Sequence, residues 1–399
     1  MFATLPLSYC TNGHPGRTVD EVIDGLVAVT QPLAQRVGPV AAGLWLAEDV
    51  VAELADPGRL AALRSALGSL PVYTLNAFPQ GNFHAAVVKQ AVYRPTWAEP
   101  RRLDYTLKCA AVLAELMPDG VQGSISTVPL GFKADPATAD AAFEAAAIDR
   151  LLDCAAGLDE LHDATGRVIR LAIEPEPHCV LETTAETVAF FGRLMAAAAA
   201  RGTEAIARDH LGVCYDVCHQ AVEFEDVVAS IRSLNDAGVR INKVHLSCAI
   251  ELPDPTSDGQ RQALARYVEP KYLHQTFAQT ADRAILSQPD LTAALCEQPP
   301  EDWAAARRWR VHYHVPVDAV TLGPLRTTRP DLSRALAAVQ ALPYAPHLEV
   351  ETYTWSVLPG DGPPSPADLV DGLAREMTAT ARLLDQHTAS LQAVSKPPV

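Results

Sequence analysis

The sequence predicts an α/β fold, a (β/α)8 TIM barrel with a long insertion between its seventh and eighth strands. Three observations carry the prediction. Eight apolar runs of β type can be marked, at Leu5–Cys10, Val40–Leu46, Val72–Phe78, Val121–Thr127, Ile169–Glu174, Gly212–Asp216, Lys243–Ser247 and Leu348–Thr352. Alanine-rich stretches with helical spacing lie between them, and strict strand–helix alternation makes a parallel sheet. Eight such units close a barrel, and no G-x-G-x-x-G follows an early strand to favour an open dinucleotide-binding sheet.

Several helices carry their own boundary signals. Thr18-Val-Asp-Glu21 is a capping-box sequence that starts a helix over Val19–Val37. A second helix is expected over Thr184–Arg201. The last runs over Pro366–Gln386, with Ser365 as N-cap and Pro366 in the first helical position. The one irregularity is the gap of about a hundred residues between the last two barrel strands, far more than two loops and a helix need. An insertion at about 250–317 fills it, within a single domain spanning 1–399. It should hold loops at Pro253–Asp258 and Ser287–Asp290 and helices near Gly259–Arg266 and Asp302–Trp309. Its strand Arg310–Val317 puts His312 and His314 on one face. That strand either caps the barrel mouth or is itself the seventh barrel strand.

Composition narrows the function. The net charge of −16 opposes attraction to nucleic-acid phosphates or anionic lipid, both of which need a basic surface. No stretch approaches the roughly 20 apolar residues of a bilayer span. Met1–Tyr9 lacks the basic start and small-residue cleavage site of a secretory signal. The eight cysteines never form a C-x-x-C pair and fit reduced thiols, so a cytoplasmic protein is expected. The oligomeric state is not legible here.

In a (β/α)8 barrel the carboxyl ends of all strands converge on one mouth, so polar residues there meet however far apart they lie in sequence. Four strand ends carry such residues. Glu174 ends the fifth run, with Glu176 two residues on in the loop, on the same face. Asp216 and His219, spaced D-x-x-H, straddle the sixth strand's turn. Lys243, His245 and Ser247 share a face of the seventh. Glu351 lies nearer the mouth than Glu349, whose mid-strand place suits an ion pair with Lys243. Three carboxylates and one imidazole (Glu174, Asp216, His245, Glu351) suit one divalent ion: Mn2+, Mg2+, Co2+ or Zn2+. An ion chelating a carbonyl and its neighbouring hydroxyl acidifies the C–H between them. Glu174 and Glu351, on opposite sides, would then remove and return the proton. His219, His314, Asn76, His84, Lys243, Glu176 and Trp355 are the expected contacts of a small-molecule substrate.

The motifs LAIEPEP, YDVCH, KVHLS and LEVETYTW resemble the xylose isomerase-like TIM-barrel superfamily of sugar-phosphate isomerases and epimerases, ketose 3-epimerases and the endonuclease IV group. The resemblance covers most of the chain except roughly Ile250–Arg310. It implies a metal set on Glu174, Asp216, His245 and Glu351, acid/base roles for the two glutamates, and a second-sphere role for His219. More narrowly, FPQGNFH, KQAVYRPTW, STVPLGFK and HLEVETYTWSVLP resemble the metabolite traffic protein EboE family of bacterial gene clusters. That likeness implies work on a secondary-metabolite precursor beside membrane-associated partners. The chain departs from the sugar epimerases in its long insertion, its HYH strand, and Glu251 where a basic residue would follow His245. Two other functions compete: a phosphodiesterase of the endonuclease IV type, disfavoured by the acidic charge, and a non-catalytic carrier that uses the mouth only to bind.

Overall fold

The computed structural model describes residues 5–81, 87–360 and 362–394, with side chains to residue 388. Eight parallel strands close a barrel: β1 (Ser8–Cys10), β2 (Ala41–Trp45), β3 (Thr74–Asn76), β4 (Gly123–Thr127), β5 (Ile169–Ile173), β6 (Leu211–Asp216), β7 (Ile241–Leu246) and β14 (His347–Val350), which pairs with β1 and β7. Each expected apolar run meets its strand; the first five strands lie within their runs, whereas β6, β7 and β14 begin earlier than expected, at Leu211, Ile241 and His347.

Between β7 and β14 the chain builds a second, antiparallel sheet. It comprises β8 (Cys248–Leu252), β9 (Thr276–Gln279), β10 (Ile285–Gln288), β11 (Arg308–Val315), β12 (Thr321–Leu322) and β13 (Leu325–Thr327), in the order β10-β9-β11-β8-β13-β12. The sheet thus runs from Cys248 to Thr327, wider than the expected 250–317. The HYH strand is β11, and β7 keeps its place in the barrel between β6 and β14.

The expected helix over Asp302–Trp309 is only one turn, Glu301–Ala304, and Trp309 stands in β11 opposite Leu252. Trp303, Ala306 and Trp309 are all buried, which mimics a helical stripe. What they serve is an edge-on pair of indoles at 5.3 Å, with Trp309 Nε1 donating to the Trp303 carbonyl at 2.9 Å.

Thr184–Arg201 is found as expected, with Thr183 and Glu186 forming a full capping box. At Thr18 the box is half-formed: the threonine hydroxyl accepts from Glu21 N, but Glu21 Oε2 takes the Arg17 amide at 2.7 Å. The helix beyond it contains a π turn over Leu26–Thr30, whose Thr30 hydroxyl reaches Tyr9. The last helix, Pro366–Val394, outruns its expected end at Gln386. Among the described residues no helix is long and apolar enough to cross a membrane.

The barrel interior is polar at its centre. Lys243 Nζ meets Glu349 Oε1 at 2.8 Å with both side chains fully buried. Asn76 Nδ2 and Ser8 Oγ donate to Glu349 at 2.7 and 3.0 Å, and Asn76 Oδ1 accepts from Lys243 at 3.0 Å. Gly43 makes room for this arrangement, since a Cβ there would overlap the Glu349 carboxylate. Every lone pair and proton of the buried pair needs such partners, because desolvating two charges costs several kcal/mol each.

Candidate metal centre

Strand register assembles the first set of ligands. Asp216 pairs with His245 across β6 and β7, and Glu349 pairs with His245 across β7 and β14. Glu174 follows β5 directly and Glu351 follows β14, so both carboxylates reach over the imidazole from either side. His245 Nδ1 lies 2.8 Å from Glu174 Oε1, 3.1 Å from Glu351 Oε2 and 3.7 Å from Asp216 Oδ2. The donor atoms of Glu174, Asp216, His245 and Glu351 all lie within 4.8 Å of one another, and all four residues are buried.

The supports of these residues leave one face of the cluster unsatisfied. Asp216 caps the helix Val217–Val222: its Oδ1 accepts from His219 N at 3.0 Å and from the Ser247 hydroxyl at 2.7 Å. Its Oδ2 is buried without a partner. Asn12 Nδ2 holds Glu351 Oε1 at 2.9 Å. Below, His245 Nε2 faces Glu349 Oε1 at 3.4 Å, so the Lys243–Glu349 layer fixes the ring from behind.

Three carboxylates packed this closely out of water require positive charge. Burial disfavours charge on His245, but its neighbours Cys214, Glu174 and Glu351 outweigh it and lift the ring's proton affinity well above its ordinary value. Burial likewise opposes ionisation of Asp216 and Glu351. His219, His314 and His245 hold Asp216 below its usual range, and His245 holds Glu351 there. Among these carboxylates the imidazole of His245 favours its protonated form. The same set fits a divalent ion: three hard oxygen donors, one imidazole nitrogen and an orphaned carboxylate oxygen.

Above the ligands opens a partly enclosed cavity. Phe78, Val88, Val92 and Leu273 give it apolar walls, and Tyr93, Tyr272 and Tyr353 line it further. Lys89 also lines it, with its ammonium bonded to Asp290 Oδ2 and the Tyr272 carbonyl, both at 2.6 Å. Of the expected substrate contacts, His219, His314 and Glu176 face this cavity. Asn76 and Lys243 do not: both are sealed beneath the ligands as partners of Glu349. Trp355 also falls outside the lining; its Nε1 donates to Glu376 at 3.3 Å and its ring packs on Gly372. His84 lies outside the described residues.

Glu176, expected in the loop after β5 as a substrate contact, is buried. Desolvation pushes its carboxyl up to about 7, and the Tyr93 hydroxyl donates to it at 2.6 Å. His312 was missing from the expected contacts, yet it sits against His219 with ring centroids 4.5 Å apart. The alternation of HYH, which puts His312 and His314 on one face, was the signal that could have found it. Tyr93, Gln275 and Tyr353 carried no comparable signal.

No family model matches the sequence, and no curated protein matches it. Solved structures do, among them the following two. One is a xylose isomerase-like TIM barrel protein from Mycobacterium smegmatis in complex with magnesium, 11% identical with a TM-score of 0.51, covering 96% of this chain and 100% of that one. The other is a xylose isomerase domain protein from Planctomyces limnophilus, 9% identical with a TM-score of 0.51, covering 97% of this chain and 99% of that one. At such identities the likeness speaks to the fold alone: the chain is a (β/α)8 TIM barrel, similar in fold to these xylose isomerase-like proteins.

Proposed function

We propose that the protein is a divalent-metal-dependent enzyme of isomerase or epimerase type, acting on a small hydroxy-carbonyl or sugar-like metabolite by proton transfer. The observation that carries this reading is the meeting of Glu174, after β5, and Glu351, after β14, on His245 Nδ1 beside a cavity that both carboxylates line. Glu174, Asp216, His245 and Glu351 would hold the ion, which when bound polarises the carbonyl and acidifies the neighbouring C–H. The magnesium in the mycobacterial barrel's description supports a hard divalent ion of this kind.

The chain's own residues divide the rest of the work. Glu351, steadied by Asn12, and Glu174 are placed to take a proton on one face of the substrate and return it on the other. His219 and His314 present ring nitrogens to substrate oxygens, and the apolar wall keeps water from the reacting carbon. The EboE-like motifs support a setting in a bacterial secondary-metabolite precursor pathway, in the cytoplasm, beside membrane-associated partners.

The test joins metal analysis to isotope exchange. Protein purified without added ions should hold or take up a divalent ion, and Glu174→Gln and His245→Ala should lose it. In D2O the wild type should place deuterium at the carbon next to the carbonyl of an accepted ketose, and Glu351→Gln should not. Wild-type protein that cannot be loaded with any divalent ion defeats the reading. Unimpaired pathway function in cells carrying Glu351→Gln would instead support a carrier.

A further inference from the structure

We propose that Arg170 and Arg240, on the floor of the barrel at the end opposite the carboxylate set, form a binding site for a tetrahedral oxyanion of the phosphate class. The floor is where the strands begin: Arg170 is the second residue of β5, and Arg240 immediately precedes β7. The buried Lys243–Glu349 layer stands between this floor and the mouth, so the inference goes beyond the proposed activity and stands independently of it.

Strand register turns Arg170 toward the barrel axis. It pairs with Ser124 of β4, whose hydroxyl lies inside the barrel, 2.9 Å from the Thr74 hydroxyl of β3 and 2.8 Å from His347 Nδ1 of β14. Between β5 and β7 runs β6, which opens with Leu211 and Gly212. Gly212 lets the lead-in to β7 lie close, since a Cβ there would stand 2.4 Å from the Arg240 carbonyl oxygen and 2.6 Å from Asn242 Nδ2. Over that glycine Asn242 Nδ2 donates to the Leu171 carbonyl at 2.8 Å. The segment that carries Arg240 is thereby tied to the strand that carries Arg170.

Both guanidiniums lack a counter-charge. Among the described residues neither has a carboxylate in ion-pair contact, whereas Arg167, three residues before Arg170, holds Asp119 at 2.6 Å. Arg170 Nη1 donates to the Gln122 side-chain oxygen, and the Arg240 guanidinium stacks 4.1 Å from the centre of the Tyr344 ring. The Nε–H of each arginine is buried and meets no acceptor. Burial and then the charge of Arg240 lower the proton affinity of Arg170, while the exposed Asp209 acts on it only from a distance. His347 feels the same field: burial first, then Lys243, Arg170 and Arg240, hold its ring at about 3 against the pull of Glu349. Two like charges and two unanswered donors in one place call for a ligand with negative charge and several acceptor oxygens. Guanidinium forks match phosphate geometry, and the oxygens of one phosphate can take the Nε–H of both arginines at once.

Phosphate binding to the full chain tests this. Calorimetric titration of the wild type with inorganic phosphate, against chloride at equal ionic strength, should show about one phosphate per chain. Arg170→Gln and Arg240→Gln should each weaken it by about tenfold or more. Gln122→Glu gives Arg170 the carboxylate it lacks while leaving both arginines and the buried core in place, and it should weaken phosphate by about as much. Lys89→Gln and Glu351→Gln, both at the mouth, should bind phosphate as the wild type does, whichever way the metal-dependent reading falls. Glycerol 3-phosphate bound as tightly as phosphate assigns the site to phosphate esters, and weaker binding assigns it to the free ion. The site is overturned if the wild type takes up no phosphate at millimolar concentration, or if Arg240→Gln and Gln122→Glu bind it as tightly as the wild type. Binding lost in Lys89→Gln alone would overturn it too, by moving the anion to the mouth.

Discussion

Replacing Lys243 with methionine isolates the barrel's central ion pair. Lys243 and Glu349 are both fully buried at 2.8 Å, and Lys243→Met leaves the carboxylate without its counter-charge. Removing one member of such a pair typically costs about 3–5 kcal/mol. With an unfolding entropy of about 2.1 cal/mol/K per residue, a chain of 399 residues gains about 0.8 kcal/mol/K on unfolding, so the midpoint should fall by roughly 4–6 °C. The pH dependence supplies the sharper check. In the wild type Glu349 is held well below its usual range: burial opposes ionisation, and Lys243 leads the groups that overcome it. Its contribution is therefore present above the unfolded carboxylate value and is lost as pH falls through the folded one. In Lys243→Met burial acts without that lysine and raises the carboxyl, so the penalty is present at neutral pH and shrinks below about pH 4, where the unfolded chain also binds the proton. Calorimetry at pH 7 and pH 4 reads both effects, and Lys243→Met with Glu349→Leu should recover most of the loss. A single variant that melts within about a degree of wild type at pH 7, or a deficit that persists unchanged at pH 4, would refute the reasoning.

Other consequences can be read by similar means. Gly43→Ala forces a methyl group into the Glu349 carboxylate and should cost about 1–3 kcal/mol or abolish soluble expression; an unchanged denaturation midpoint would show that the layer can shift. Glu376 is fully buried, its carboxyl pushed up to about 7 by desolvation, so wild-type stability should fall as pH rises from the ordinary carboxylate value to about 7. That fall is at most about 1.4 kcal/mol per pH unit, and in urea titrations Glu376→Gln should flatten it, whereas parallel curves would assign the pH response elsewhere. Thr183→Ala removes a full capping box and should lower stability by about 0.5–2 kcal/mol, read from the urea midpoint, with no change in metal uptake. Saturation with Mn2+ at about a hundred times its dissociation constant should stabilise the wild type by about 2.7 kcal/mol and leave Glu174→Gln unmoved in a thermal melt.

What could be read from the sequence follows what is local or periodic. The barrel strands announced themselves because buried parallel strands are continuous apolar runs, and Thr184–Arg201 because both its cap and its stripe lie within the segment. Glu174, Asp216, His245 and Glu351 could be grouped because barrel topology brings strand ends together whatever their separation. Depth along a strand was harder to judge. Lys243 and Asn76 share faces with mouth residues but stand a layer lower, where pairing with Glu349 claims them. The inserted sheet was read least well. Trp303, Ala306 and Trp309 have the spacing of a helical stripe without forming a helix, and the approach of His312 to His219 depends on how β11 crosses the mouth, which no spacing within the chain encodes.

The filled barrel centre has a consequence for traffic through the molecule. With Lys243, Glu349, Asn76, Ser8 and Ser126 plugging the axis, the cavity is a well and not a tunnel. Whatever enters past Phe78 and Tyr353 must leave by the same opening before another molecule can follow. A hand-over of anything held there would then have to take place at that rim, one molecule at a time.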